Sequence, residues 1–277
     1  MIQLSMGRKV KTKTTLLFVL LLILAACGGE KRGYSADKPV ESNDQWKVVI
    51  QEFDGVEMVL VPAGCFEMGD AGEGGEQCSD EPFWIDRYEV TNDQYRRCVD
   101  DDACTLPIST TADFDDPQYG NRPIVYLNWF QANDYAAWRG EEYGLPTEAQ
   151  WEYSVSGPDN LYFPWGNEFN DSYVVYSGNS SGPAPVGSKP EGESWVGAND
   201  LSGNVWEWTS TLFRQYPYTI LDGREESENR INSRVLRGGS FYYAADLLRA
   251  ASRLEQFPNF WGPNIGFRTA RIYEPGE

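Results

Sequence analysis

Histidine is absent from all 277 residues of the chain. This absence excludes histidine general bases, serine–histidine–aspartate triads, and iron, zinc or copper sites that depend on an imidazole ligand. A general base in this protein would have to be a carboxylate or a tyrosine whose pKa is strongly perturbed. The composition therefore removes most of the common hydrolase and metalloenzyme mechanisms before any motif is considered.

Positive charge is also scarce, with 23 Lys and Arg residues against 42 Asp and Glu residues and a formal net charge of −19. Such an excess of negative charge repels phosphate backbones, so we expect no nucleic-acid partner. The simplest role of the acidic residues is solubility. Carboxylates are also the ligands that calcium prefers, so a calcium site is compatible with this composition.

Long apolar runs are limited to one, at the start of the chain. The eleven residues from Leu16 to Ala26 are apolar and follow a basic segment that contains Lys9, Lys11 and Lys13. The run is too short to span a bilayer comfortably and is typical of a signal-peptide core. We therefore expect residues 1–26 to be a signal peptide.

The signal ends in Leu-Ala-Ala-Cys, which resembles the lipobox of bacterial lipoproteins. The resemblance implies cleavage before Cys27, lipidation of its thiol and attachment to the membrane of the cell envelope, the outer membrane if there is one. The alternative is an ordinary signal peptide with a chance cysteine. The polar residues 27–44 then form a flexible tether.

Cysteine is rare, and no two cysteines have the CxxC spacing of a redox or zinc motif. Four remain after Cys27, and an export signal implies a compartment in which disulfides persist. Three pairings are possible. We expect Cys65–Cys78 and Cys98–Cys104, because each closes a short loop; a redox or metal role is the alternative.

Residues 45–277 are predicted to form one domain that is rich in loops and held by aromatic packing. The chain has 10 Trp, 16 Tyr and 13 Phe together with 27 Gly and 16 Pro. Alternating apolar residues predict two strands joined by a Pro-Ala-Gly turn over 55–70, and residues 80–100 are predicted to be a strand that leads into a helix. Three short helices are predicted to begin at capping boxes, Thr91/Gln94, Asn128/Gln131 and Thr147/Gln150, the second after a short strand.

Eight motifs identify a family when they are taken in order. The chain resembles the formylglycine-generating enzymes, or sulfatase-modifying factors, from about Val56 to Arg271. The motifs are MVLVPAGCFEMG, YEVTNDQY, PIVYLNWFQANDYAAW, LPTEAQWEY, FPWGN, DLSGNVWEWT, RVLRGGSF and NIGFR. The resemblance implies an α+β fold that is related to C-type lectins and has little regular secondary structure.

The resemblance also implies a structural calcium ion in the DLSGNVWEWT motif. Carried over to this chain, the ligands are the Asp200 and Glu207 carboxylates and the backbone carbonyls of Gly203 and Val205. This oxygen set suits a hard cation. The alternative is a tight turn with both tryptophans of the motif in the core and Glu207 in a salt bridge.

The catalytic positions of the family are not kept. Formylglycine-generating enzymes oxidise a substrate cysteine with copper, which is held by two cysteines after the GGS turn; these positions are Tyr243 and Leu248 here. The sulfoxide synthases of the same family use histidine-bound iron, and the chain has no histidine. We therefore expect neither copper nor iron.

The same interval is a candidate ligand-binding surface, on which aromatic anchors would take an unknown protein or glycan. The candidate residues are Ser240, Tyr242, Tyr243, Arg249, Phe260 and Trp261. The favoured function is a surface-anchored, non-catalytic binding or assembly module. One further alternative is a variable protein of a diversity-generating retroelement, whose ligand-binding surface lies in this interval.

An enzyme of different chemistry, acting on exported proteins or sugars, is another alternative, for which Asp246 and Arg253 are additional polar candidates. A formylglycine-generating oxidase is the least favoured. Arg237 and Arg268 are predicted to pin loops by pairing with carbonyls or carboxylates. Glu148 and Glu152 are predicted to be helix acids that favour the helix dipole.

Overall fold

A computed structural model describes residues 36, 38–109 and 112–275. The predicted signal peptide, Cys27 and the first part of the tether lie outside these residues. Within the described part, no helix is both long and apolar enough to cross a membrane.

The described residues form eleven short strands and four α-helices. The strands are β1 (Ile50–Phe53), β2 (Val56–Val61), β3 (Gly64–Met68), β4 (Gly75–Ser79), β5 (Phe83–Asp86), β6 (Tyr143–Gly144), β7 (Trp206–Leu212), β8 (Arg234–Arg237), β9 (Arg253–Gln256), β10 (Ile265–Gly266) and β11 (Ala270–Ile272). The helices are α1 (Asn92–Asp100), α2 (Ala112–Asp115), α3 (Trp129–Arg139) and α4 (Glu148–Ser156).

The strands make three sheets. The first has five strands in the order β1-β2-β5-β11-β6, and all its neighbours are antiparallel. The second has the order β10-β7-β8-β9, in which only β10 and β7 are parallel. The third is the hairpin of β3 and β4. In β2 every residue except Glu57 is buried, which is the pattern of a strand covered on both faces.

Both predicted disulfides are present. Cys65 and Cys78 are directly opposite each other on β3 and β4, so their bond closes this hairpin. Cys98 in α1 is bonded to Cys104, just after the helix. The loop-closure argument from the sequence is therefore confirmed at both pairs.

All three predicted capping boxes are present. Thr91, Asn128 and Thr147 each accept a hydrogen bond from the backbone of the glutamine three residues on, and that glutamine side chain accepts one in return. These caps begin α1, α3 and α4. The short strand predicted before Asn128 is wrong, because only Pro123 makes an isolated bridge there, to Thr91.

Aromatic side chains fill two large cores. One lies against the five-stranded sheet and contains Trp84 and Trp151. The other lies around α1 and α3, where Tyr135 stacks on Tyr95 at 5.8 Å between ring centroids and meets the edge of Phe267 at 5.4 Å. Packed aromatic side chains therefore stabilise a fold that has short strands and long loops.

The prediction of a flexible tether through residue 44 is wrong at its C-terminal end. Ala36 is buried, and its carbonyl accepts a hydrogen bond from Ala63. Val40 bridges Gly64 beside β3, and the Asn43 side chain donates to the Ser156 carbonyl at 3.2 Å. Backbone pairing attaches these residues to the domain, which the polar composition of the segment did not indicate.

Candidate ligand-binding face and calcium loop

The GGS turn joins β8 to the candidate surface. Gly238 and Gly239 both have positive φ values, of 98° and 75°. A Cβ at Gly239 would lie 2.5 Å from the carbonyl oxygen of Leu247, so the turn needs glycine both for its φ and for this close approach. The turn brings the chain from the sheet directly over the loop at 245–248.

Ser240 lies beneath the surface rather than on it. Its side chain is fully buried, and its hydroxyl oxygen accepts hydrogen bonds from the Asn264 side chain at 3.1 Å and the Tyr242 backbone at 3.3 Å. The prediction that Ser240 lines a ligand-binding surface is therefore corrected: the residue joins two loops that carry the exposed aromatics.

The two positions that hold copper ligands in formylglycine-generating enzymes are occupied by packing residues. Leu248 is completely buried and packs with Phe163 and Val174. Tyr243 is half-buried and meets the ring of Trp206 edge-on, with 5.8 Å between centroids. The side chains belong to two different hydrophobic clusters, and neither supplies a soft ligand for copper.

Three predicted aromatics are exposed on this side of the molecule. Tyr242 is 72% exposed, Phe260 44% and Trp261 40%. Tyr126, which the sequence analysis missed, packs against Trp261 with 6.0 Å between ring centroids. We call Tyr126, Tyr242, Phe260 and Trp261 the aromatic face.

Tyr126 has an unusual backbone conformation, with φ at +62°. Its amide donates to the Gly262 carbonyl, and its own carbonyl accepts from Ile108, so both polar groups hold the strained turn. A bulky residue adopts this conformation only when its surroundings impose it, and such outliers cluster at functional sites. A cavity of about 210 Å³ beside it is lined by Tyr126, Phe241 and Pro263.

The predicted polar candidates make other contacts. Arg249 donates two hydrogen bonds to the Asp70 carboxylate, at 2.6 and 2.9 Å. Arg253 donates to Glu148 at 2.7 Å, and Asp246 is exposed. Arg249 also donates to the Asp246 backbone carbonyl at 3.3 Å. Within the described part of the chain, no hydrogen bond joins two side chains of this polar set, so no nucleophile is paired with a base.

Glu148 and Glu152 were predicted only to favour the helix dipole, but the structure gives them a further role. Both are buried, and Glu152 forms an ion pair with Arg237. Glu148 lies 3.5 Å from Arg237 and 2.7 Å from Arg253. Burial lowers the pKa of Arg237 to about 10, so the guanidinium remains charged at neutral pH. These acids connect α4 to β8 and β9, and the structural role predicted for Arg237 is confirmed.

The predicted calcium loop is a tight turn before β7. Asp200, Gly203 and Asn204 all have positive φ, at 60°, 83° and 51°. A Cβ at Gly203 would lie 2.3 Å from the Val175 carbonyl oxygen, so only glycine fits there. The carbonyls of Gly203 and Val205 accept no hydrogen bond from described residues.

Arg268 lies at the centre of this region, and its guanidinium donates two hydrogen bonds to the Glu207 carboxylate, at 2.7 and 2.8 Å. It also donates to the carbonyls of Asp86 at 3.0 Å and Asn199 at 2.8 Å. Both charged side chains are fully buried. The pinning role predicted for Arg268 is confirmed, and the structure shows the salt bridge of Glu207 that was the alternative to calcium.

Negative charge nevertheless exceeds positive charge around Arg268. Burial and the neighbouring Asp200 raise the pKa of Glu89 well above its usual value. Burial also raises the pKa of Asp200 to about 6. Three buried carboxyl groups thus share one guanidinium, an imbalance that a cation would relieve.

Two carboxylate oxygens of the predicted calcium ligands retain capacity to accept a further contact. One oxygen of Asp200 accepts from the Gly187 amide, and the other accepts no hydrogen bond from the described residues. Among the described residues, Glu207 Oε1 accepts a hydrogen bond from Arg268 alone, whereas Oε2 accepts from both Arg268 and Trp151, so Oε1 keeps a lone pair. Among the described residues no group of three or more carboxylates or thiolates could hold a metal by itself, so carbonyls would have to complete the site.

Comparison with known proteins assigns the family. The model of the sulfatase-modifying factor enzyme 1-like domain matches residues 25–273. The chain belongs to this sulfatase-modifying factor family. The family resemblance that eight sequence motifs indicated is thereby confirmed.

Relatives in the sulfatase-modifying factor family differ in what their names describe. A hercynine oxygenase of Mycolicibacterium smegmatis is 32% identical over 70% of this chain and 56% of its own length. The mouse formylglycine-generating enzyme is 27% identical over 79% of this chain and 76% of its own. The bovine inactive C-alpha-formylglycine-generating enzyme 2 is 29% identical over 78% and 88%. The chain spans between a third and just over half of the hercynine oxygenases that it matches.

Solved structures confirm the fold of the sulfatase-modifying factor domain. PvdO from Pseudomonas aeruginosa superposes with a TM-score of 0.66 at 24% identity, over 81% of this chain and 98% of that chain. The α+β, C-type-lectin-like fold predicted from the motifs is therefore confirmed.

Proposed function

We propose that this protein is a non-catalytic, ligand-binding member of the sulfatase-modifying factor family. One observation carries the proposal: Leu248, at a position where the formylglycine-generating enzymes hold copper, is completely buried in an apolar cluster. The second such position, Tyr243, packs on Trp206. The scaffold is kept, while the ligands that the oxidase chemistry needs are replaced by a buried leucine and a half-buried tyrosine. A bovine relative is named an inactive C-alpha-formylglycine-generating enzyme 2, and this name supports the non-catalytic part of the proposal.

The aromatic face is the proposed binding surface, for a glycan or a peptide of an exported protein. Exposed aromatic rings offer a large contact area at a low cost in side-chain entropy, and they stack on sugar rings or peptide side chains. The strained backbone of Tyr126 and the cavity of about 210 Å³ beside it support this choice. Neighbouring exposed rings Tyr242 and Trp261 provide anchors on the two loops that Ser240 joins.

Binding to a glycan array and to a peptide library tests the surface. We expect a ligand whose binding falls by about tenfold or more in Tyr242→Ala and in Trp261→Ala, as for aromatic anchors in other interfaces. Tyr162→Ala is the matched control, because Tyr162 is 51% exposed but lies outside the aromatic face. A ligand that is lost equally in the control would refute the assignment.

Incubation with copper and a cysteine peptide of a sulfatase tests the absence of catalysis. We expect mass spectrometry to show no conversion of the thiol to an aldehyde. Conversion by the wild-type protein would overturn the proposal, because it would require redox chemistry without Tyr243 and Leu248 acting as ligands.

Calcium is proposed as a structural ion, held by Asp200, Glu207 and the carbonyls of Gly203 and Val205. Glu207 would share its charge between the ion and Arg268. When bound, the ion would neutralise the excess of buried carboxylates and stiffen the turn before β7. A rise in melting temperature with calcium that is lost in Asp200→Asn is the expected result, and no rise in the wild-type protein would refute it.

Export and lipid anchoring through Cys27 are also proposed. The apolar segment and the Leu-Ala-Ala-Cys motif support them, and the oxidised state of both disulfides is consistent with an envelope compartment. Labelling of growing cells with an alkyne fatty acid should mark the wild-type protein and not Cys27→Ser. Equal labelling of the two proteins would exclude lipidation at this residue.

A further inference from the structure

A second concave surface is lined in part by two strands that lie at sheet edges, and it shares no residue with the aromatic face. A cavity of about 510 Å³ is lined by β4 on one side and by β6 and the following Leu145 on another. Strand β4 pairs only with β3, and β6 is the last strand of the five-stranded sheet. Within the described residues, both strands therefore have an edge without a neighbouring strand, and we call this cavity the edge groove.

The inner wall of the edge groove is apolar and aromatic. It is formed by Phe66, Phe83, Tyr143, Leu145, Tyr153 and Tyr218. The Tyr153 side chain is 1% exposed, and its hydroxyl has no hydrogen-bond partner among the described residues.

The mouth of the groove exposes apolar side chains to water. Ile220 is 69% exposed and Ile272 is 62% exposed, and both line the cavity. Single exposed aliphatic residues are common on protein surfaces. Two of them at the mouth of an aromatic cavity, next to unpaired strand edges, indicate a surface that a partner covers.

Charge at the groove is strongly one-sided. Asp80, Glu81 and Glu141 line the mouth, are exposed, and form no ion pair with described residues. Two further lining carboxylates have partners: Glu142 lies 3.7 Å from Arg271, and Glu225 accepts hydrogen bonds from the side chains of Thr211 and Tyr218. Among the described residues that line the cavity, Arg271 is the only one with a basic side chain.

We propose that the edge groove binds an extended polypeptide segment that carries lysine or arginine. A strand edge donates and accepts main-chain hydrogen bonds to an added strand, and pockets beside it take alternate side chains. The free carboxylates at the mouth attract the basic side chains, while the aromatic wall packs their aliphatic stems. The groove shares no residue with the aromatic face or with the calcium loop, so the inference does not depend on the function proposed for them.

The binding of short peptides to the purified protein tests this proposal. The probe is a fluorescein-labelled octapeptide in which Lys-Ser-Lys-Val occurs twice, and its counterpart has glutamate in place of lysine. Fluorescence anisotropy at low and at physiological salt should detect binding of the basic peptide only. No binding of the basic peptide at millimolar protein would overturn the proposal.

Two pairs of charge-neutralising variants separate a local site from general attraction to an acidic protein. Glu81→Gln with Glu141→Gln should weaken binding by about tenfold, because both carboxylates lie at the mouth of the groove. Glu168→Gln with Glu228→Gln removes the same charge at exposed positions outside the groove and should change binding by less than about twofold. Equal losses in the two pairs would show that only net charge attracts the peptide.

Hydrogen exchange gives the location independently of affinity. Bound peptide should slow amide exchange in residues 75–79 and 143–145, since an added strand pairs with those edges. Protection confined to the loops of the aromatic face would overturn the proposal even if the basic peptide binds. Both double variants should melt at the wild-type temperature, because all four substituted side chains are exposed.

Discussion

Replacement of Arg268 by methionine should destabilise the domain severely. The substitution keeps much of the side-chain volume but removes two hydrogen bonds to Glu207 and others to the carbonyls of Asp86, Arg87 and Asn199. Both members of the ion pair are fully buried. Loss of one partner of a buried pair costs about 3–5 kcal/mol, because the other charge is left without compensation.

The cost at Arg268 should appear as a large fall in melting temperature. For a domain of this size about 1 kcal/mol corresponds to about 2–4 °C, so Arg268→Met should melt about 6–20 °C below the wild type. Differential scanning calorimetry and circular dichroism, both with the disulfides intact, measure the change. When Glu207→Gln is added to Arg268→Met, the further loss of unfolding free energy should be smaller than the loss that Glu207→Gln causes in the wild type, since the two side chains interact directly.

Arg249→Met is the matched control for burial. Arg249 also donates two hydrogen bonds to a carboxylate, that of Asp70, but these side chains are 37% and 44% exposed. Exposed pairs contribute about 0–1 kcal/mol, so its melting temperature should fall by no more than about 4 °C. Equal effects of the two substitutions would refute the argument that burial sets the cost.

Three further predictions concern the calcium loop, a disulfide and the GGS turn. Without calcium, Asp200 has a pKa of about 6 in the folded protein against 3.8 in the unfolded chain, so the folded protein holds the proton more tightly. The free energy of unfolding should therefore decrease by up to about 3 kcal/mol as pH rises from 4 to 7. Denaturation measured as a function of pH should show a flatter stability profile for Asp200→Asn than for the wild type. The double substitution Cys98→Ser and Cys104→Ser opens a short disulfide-closed loop and should lower the free energy of unfolding, measured in urea, by about 2 kcal/mol. An unchanged urea midpoint would contradict the pairing. Gly239→Ala introduces a Cβ at φ 75° and 2.5 Å from a carbonyl oxygen and should cost more than about 1 kcal/mol. In the control Gly182→Ala, the Cβ meets no atom of a described residue within 4 Å, so this variant should unfold at nearly the wild-type denaturant concentration.

Features that depend on a few neighbouring residues could be predicted. The capping boxes at Thr91, Asn128 and Thr147 need only a side chain and a glutamine three positions later. The disulfides follow from short separations of 13 and 6 residues. The helix starts and both crosslinks were therefore correct without knowledge of the tertiary structure.

Features that depend on contacts between distant segments could not be predicted. Glu148 follows its N-cap as helix acids commonly do, and nothing near it in sequence indicates that Arg237 and Arg253 reach it. Arg249 was assigned to the candidate surface, but its partner Asp70 lies 179 residues away in the chain. The role of Tyr126 depends on its φ and on Trp261, neither of which its sequence neighbours specify.

The sequence by itself determined what this protein lacks and which family it belongs to. Imidazole is missing, and the family's copper positions are Tyr243 and Leu248, facts that no folding can change. Only the tertiary structure decided that Leu248 is buried, that Tyr242 and Trp261 are exposed, and that β4 and β6, each with a free edge among the described residues, line one groove. Ligand chemistry depends on residue type, whereas exposure and strand neighbours depend on how distant segments pack, which no local pattern encodes.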